Sequence, residues 1–100
     1  MNTILYHRQF SKWLEKLRDR RAYGAIVHRI DNARYGNFGK TRYLRDGVSE
    51  MKVDIGPGYR VYYAQEERTV YLLLVGGDKS SQDSDIEKAV AIWKEYEKGE

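Results

Sequence analysis

The fold is decided by the stretch Val48-Ser49-Glu50-Met51-Lys52-Val53-Asp54-Ile55, then Gly56-Pro57-Gly58, then Tyr59-Arg60-Val61-Tyr62-Tyr63-Ala64-Gln65. Its first segment alternates with a period of two. Ser49, Met51, Val53 and Ile55 share one side, and Val48, Glu50, Lys52 and Asp54 share the other. Gly56-Pro57-Gly58 is a strong turn signal, so the next segment returns as an antiparallel partner. On that partner Arg60, Tyr62 and Ala64 lie on one side, and Tyr59, Val61 and Tyr63 on the other. The apolar bias assigns Met51, Val53 and Val61 to the core. Lys52 and Arg60 are then expected side by side on an outward sheet face, with Glu50 beside them.

Reading outward, Thr41 to Arg45 forms the preceding strand, turned by Asp46-Gly47. Glu66-Glu67-Arg68 turns the chain into Thr69 to Val75, apolar enough for a central strand covered on both faces. Gly76-Gly77 is expected to end it. Towards the N-terminus the period becomes helical. Phe10, Trp13, Leu14 and Leu17 form one stripe, and Ala22, Ile26, Ile30 and Ala33 a second. Asp19 is placed to cap the second helix. Gly36-Asn37 reads as its stop. Thr3 to Arg8 reads as a short first strand. A last helix is expected from about Ser81 to Glu97, with Ile86, Ala89, Val90 and Trp93 on its apolar side. Ser81 or Ser84 would cap it, and Asp83, Asp85 and Glu87 suit the positive end of its dipole. The expected fold is α+β in one domain spanning residues 1–100: an antiparallel sheet with helices packed on one face, in β-α-α-β-β-β-α order.

One hundred residues suffice for one folded domain. The absence of cysteine excludes disulfides and thiolate zinc sites. His7 and His28 have no companions at ligand spacing, so no metal and no cofactor is expected. Gly56-Pro57-Gly58 carries no phosphate-loop pattern. No apolar run is long enough to span a bilayer, and the first residues lack the character of a signal peptide, so a cytoplasmic location is expected. The net charge of +3 hides polarity: residues 1–45 carry +8 and residues 46–100 carry −5. Such a basic half can attract polyphosphate, or it can be the solvated outer side of two helices.

The outward face carries the chemistry. Lys52 and Arg60 on adjacent strands, with Lys79 overhanging from the Gly76-Gly77-Asp78-Lys79 corner, form a cationic surface suited to a phosphate. Glu50 could accept a proton and Lys79 could supply one. Tyr62 or Tyr59 could stack on a base or donate a proton. The plainer alternative is that Glu50, Lys52 and Asp54 decorate a solvated face with cross-strand ion pairs. Trp13 and Trp93 lie on apolar stripes and read as core residues.

Five segments in this order resemble the HigB-like addiction-module killer proteins of the RelE/ParE toxin superfamily. They are Phe10-Ser11-Lys12-Trp13-Leu14-Glu15-Lys16-Leu17, Gly36-Asn37-Phe38-Gly39, and Gly47-Val48-Ser49-Glu50-Met51-Lys52-Val53. The others are Gly56-Pro57-Gly58-Tyr59-Arg60-Val61-Tyr62-Tyr63 and Leu72-Leu73-Leu74-Val75-Gly76-Gly77-Asp78-Lys79-Ser80-Ser81-Gln82. The resemblance implies a RelE-like fold and a toxin restrained by a cognate antitoxin, expected to be a helix-turn-helix protein. It implies an endoribonuclease that enters the ribosome and cuts mRNA by metal-independent 2′-hydroxyl attack. By position, Arg60 matches the family's strand arginine and Lys79 the cation after the last strand. Lys52 stands where this branch more often has arginine, which keeps the charge but loses the planar fork. Some members use a tyrosine near the C-terminus; Tyr96 lies too deep in the last helix to be equated with it, and Gln82 or Asp83 occupies that neighbourhood. Two alternatives share the fold: a ParE-like gyrase-inhibiting toxin without catalysis, and a toxin relic with a decayed site. The clustered Lys52, Arg60 and Lys79 favour the nuclease.

Overall fold

The computed structural model describes residues 1–99. The elements run β1 (Thr3–Tyr6), α1 (Arg8–Lys16), α2 (Arg20–Arg34), β2 (Thr41–Arg45), β3 (Val48–Val53), β4 (Tyr59–Glu67), β5 (Val70–Asp78), a single 3-10 turn (Lys79–Ser81) and α3 (Gln82–Gly99). The class is α+β, with one five-stranded sheet ordered β1-β5-β4-β3-β2.

Three features of the expected architecture are corrected. Four strands follow the two helices, where the expected β-α-α-β-β-β-α order had three. The sheet is mixed, because β1 lies parallel to β5 while β2 to β5 form an antiparallel meander. After β1, the α1–α2 pair carries the chain to the far edge of the sheet. The meander starts there antiparallel to β1, and its three reversals bring β5 back parallel to it. The helices also cover both faces rather than one. Phe10, Leu14, Ala22, Ile26 and Ile30 of α1 and α2 pack on Met51, Val53, Val61, Tyr63 and Leu73. Ala89, Val90 and Trp93 of α3 pack on Val48, Tyr62, Ala64, Leu72 and Leu74, which point the opposite way. That second face is apolar at one end and charged at the other. Its apolar end needs a cover, and α3 is the element that buries it.

The register explains how the face is divided. Tyr63 pairs with Leu73 while Tyr62 pairs with Val75, so β5 carries one extra residue at this bulge. The bulge reverses the side-chain parity beyond it. Gly76 therefore faces α1 and Gly77 faces α3. A Cβ on Gly76 would meet the Trp13 ring at 2.2 Å, and one on Gly77 would meet the Asp85 carboxylate at 1.9 Å. These glycines admit close neighbours rather than break the strand, which continues to Asp78 instead of ending at Gly76-Gly77.

Caps mark the helix starts. Asp19 accepts from the Ala22 N–H at 3.1 Å, as the spacing predicted. The start of the last helix differs from expectation. Asp78, not Ser81 or Ser84, caps the 3-10 turn that leads into it, accepting from the Ser80 N–H at 2.8 Å. Ser81 instead donates its hydroxyl to Asp85.

His7 caps α1 by accepting the Gln9 N–H on Nδ1 at 3.1 Å, which requires a neutral ring. Burial first, then the neighbouring Arg8 charge, lowers its pKa from 6.5. The unfolded chain therefore takes up a proton at its ordinary value while the folded chain still resists it. The contribution of His7 is complete above about pH 6.5 and is lost as pH falls through the lowered folded value. Thermal unfolding is expected to show a loss of stability over that window that a His7→Asn variant lacks, since asparagine caps without titrating. Identical pH dependence in both proteins would contradict this assignment.

Candidate functional site

The β3–β4 register sets Lys52 directly opposite Arg60 and Glu50 opposite Tyr62. The Gly56-Pro57-Gly58 turn joins the two strands. Gly56 at φ +54° and Gly58 at φ +83° hold backbone conformations that side-chain-bearing residues rarely adopt. The Gly58 N–H bonds to the Ile55 carbonyl at 2.9 Å, and the Gly58 carbonyl accepts from the Lys79 N–H at 2.9 Å. The turn is thus tied to the corner after β5. From the opposite face, Arg29 of α2 donates to the carbonyl of Lys52 at 2.6 Å and to that of Phe38 at 3.0 Å. The end of β3 is therefore anchored on both sides.

These contacts shape an open cleft of about 390 Å³ lined by Lys52, Asp54, Arg60 and Lys79 together with the glycine-proline turn. Lys52 is half-buried and Lys79 exposed. Asp54 is exposed and ion-paired with Lys40. The hydrogen bond from Lys40 is the main cause that holds the Asp54 carboxyl below its usual pKa, so it is ionised at neutral pH. Three cations facing one carboxylate leave the cleft positive.

The other two expected site residues stand behind this cleft rather than in it. Glu50 was expected to point into solvent, but it is fully buried. The end of α3 face on which it lies is shielded by its neighbours, and the carboxylate is matched by cations. Arg42 on β2 donates from Nε to Glu50 Oε2 at 2.8 Å. Arg60, only 8 % exposed, brings its Nε to 3.5 Å from Glu50 Oε1, an ion pair longer than a hydrogen bond. Tyr62 is also fully buried, so it is closed to base stacking. Burial above all, then the Glu50 charge, raises its phenol pKa far above the ordinary value, so it keeps its proton. Tyr59 turns to the other face, where its ring packs edge-on to Trp13 at 6.1 Å.

Arg42 was missed in the sequence. The Asp46-Gly47 hairpin by itself would set Tyr43 opposite Glu50; a bulge between Tyr43 and Arg45 shifts the register and brings Arg42 there instead. Arg29 could not have been found, since nothing local ties a helix residue to the backbone at Lys52.

The fold and cleft define an α+β domain with a cationic cleft at the uncovered end of one sheet face. The chain belongs to a family that includes an "Uncharacterized protein" of Haemophilus influenzae. The two are 43 % identical over 86 residues, covering 86 % of this chain and 87 % of that relative. No protein-family model matches the sequence. No helix among the described residues is long and apolar enough to cross a membrane.

Proposed function

We propose that this chain is the toxin of a type II toxin–antitoxin module, a RelE/HigB-like endoribonuclease that cuts mRNA on the ribosome. The observation that carries the reading is the cleft in which Lys52 and Arg60 sit on adjacent strands with Lys79 at the lip. The resemblance of the five segments to HigB-like killer proteins supplies the reaction class. In this reading the 2′-oxygen of the nucleotide attacks the adjacent phosphorus. The P–O5′ bond breaks, leaving a 2′,3′-cyclic phosphate and a free 5′-hydroxyl. Arg60 and Lys52 stabilise the extra charge that develops on the phosphoryl oxygens, because they are in place before the reaction begins. Asp54, the acidic side chain lining the cleft, takes the proton of the 2′-hydroxyl. Lys79, exposed at the lip, delivers a proton to the leaving oxygen. The cations of α1, α2 and their junction, among them Arg8, Lys12, Lys16, Arg18, Arg20 and Arg21, are exposed and suit contact with an RNA backbone. A cognate helix-turn-helix antitoxin would hold the activity in check in the cytoplasm.

Inducing the chain alone is expected to arrest growth and to leave mRNA cut only while translation proceeds. Mapping RNA ends with and without a translation inhibitor checks this. Equal cutting of naked RNA would remove the ribosome from the reading. Intact mRNA together with inhibited gyrase would select the ParE-like alternative, and unimpaired growth the decayed relic.

A further inference from the structure

Glu50 and Arg60 form a buried cluster that the proposed chemistry uses only in part. The Glu50 side chain is 1 % exposed, and the cations on its two oxygens differ in surroundings: the Arg42 side chain is 65 % exposed and the Arg60 side chain 9 % exposed. Both guanidiniums approach through Nε, Arg42 at 2.8 Å and Arg60 at 3.5 Å. Among the described residues, neither terminal Nη pair has a hydrogen-bond or ion-pair partner. The Nη edge is the one that grips two oxygens of a phosphate at once. One carboxylate against two guanidiniums also leaves one positive charge uncompensated, which matches one phosphodiester.

Arg42 is not remote from the cleft. A second depression of about 350 Å³ is lined by Lys40, Thr41, Arg42, Glu50 and Lys52, and Lys52 lines both. Arg60 Nε and Glu50 Oε1 are buried without hydrogen-bond partners among the described residues. Buried polar atoms in that condition are costly, and a shift of Arg60 by roughly half an ångström would close them onto each other.

We infer that Glu50 is a positioning carboxylate that aligns Arg42 and Arg60 as a paired fork for a backbone phosphodiester of RNA, with Arg42 a member of the binding site. This rests on the nuclease reading above. Glu50 then acts through the arginines and exchanges no proton with substrate. The same carboxylate fixes both forks, so loss of its charge loosens two anion contacts together.

The test titrates the full chain with a 2′-O-methyl RNA hexamer, which binds but cannot be cut at a methylated position. Arginine Nε–H signals are followed by NMR, and affinity is measured at several salt concentrations. The signals of both Arg42 and Arg60 are expected to move. Arg42→Ala, at an exposed edge and so expected to fold, should weaken binding about tenfold and lower the salt slope by about 0.7. Glu50→Gln, which keeps the shape but removes the charge, should displace the Arg60 signal before any RNA is added. Adding Arg42→Ala to it should then weaken binding further by much less than tenfold, the non-additivity expected of one coupled unit. Unchanged affinity and slope for Arg42→Ala, or an Arg60 signal indifferent to Glu50→Gln, would overturn the fork. A hexamer that moves Arg60 but not Arg42 rejects the fork and leaves the nuclease reading standing. A hexamer that moves neither also rejects the fork, while the translation-dependent cleavage assay above decides the nuclease reading separately.

Discussion

Replacing Arg60 by alanine is expected to abolish growth arrest on induction and to reduce mRNA cleavage by a factor of about 100–1,000 or more. Arg60 is the cation most firmly held in the cleft. It is almost wholly buried, sits opposite Lys52 on one side and Gly77 on the other, and has Glu50 behind it. A charge fixed in a partly desolvated position stabilises a charged transition state more than a mobile surface lysine does. The exposed Lys79 should accordingly tolerate alanine better. The Arg60→Ala protein is expected to fold, because Glu50 retains its 2.8 Å hydrogen bond from Arg42. Circular dichroism and a thermal scan, run beside the cleavage assay, separate a lost site from a lost fold. A folded Arg60→Ala protein that still arrests growth would sink the site as drawn.

The largest expected effect on stability lies next door. Glu50→Ala should destabilise the domain by about 3–5 kcal/mol, because it leaves Arg60 buried without its counter-charge. For a domain of this size that is a large share of the roughly 5–15 kcal/mol that separates folded from unfolded. The midpoint of thermal unfolding should fall by something like 12–40 °C, at about 4–8 °C per kcal/mol. A Glu50→Leu/Arg60→Met double variant removes both buried charges and fills similar space. It should recover most of the stability and none of the activity. Chemical denaturation of the three proteins provides the comparison. If Glu50→Ala costs less than about 1 kcal/mol, Glu50 is not the counter-charge that keeps Arg60 buried. That double variant also distinguishes the two jobs of the cluster, since a purely structural pair would be dispensable once repacked.

Much of this was legible in the residues, for reasons that stay local. The alternation from Val48 and the Gly56-Pro57-Gly58 turn were enough to set Lys52 beside Arg60, because hairpin register follows from turn position and a two-residue period. Asp19 announced α2, because a cap lies beside the helix it serves. Less local features were misread. Gly76-Gly77 looked like a strand end, yet those glycines make room for Trp13 and Asp85, which are distant in sequence. Val48, Glu50 and Lys52 looked like one solvated row. In the fold, Val48 is covered by α3, Glu50 is enclosed between two arginines, and only Lys52 reaches a cleft.

That row marks the division between the two kinds of information. The sequence by itself determined where strands and helices lie along the chain, the β3–β4 pairing and the adjacency of Lys52 and Arg60. These follow from periodicity, turn chemistry and capping within a few residues. Only the tertiary structure decided that β1 joins β5 in parallel, that α3 covers the second face, and that Arg42 and Arg60 close over Glu50. Each depends on which distant segment lies against a given face. The bulge in β5 exchanges those faces partway along the strand, so no count of alternating residues carries through it.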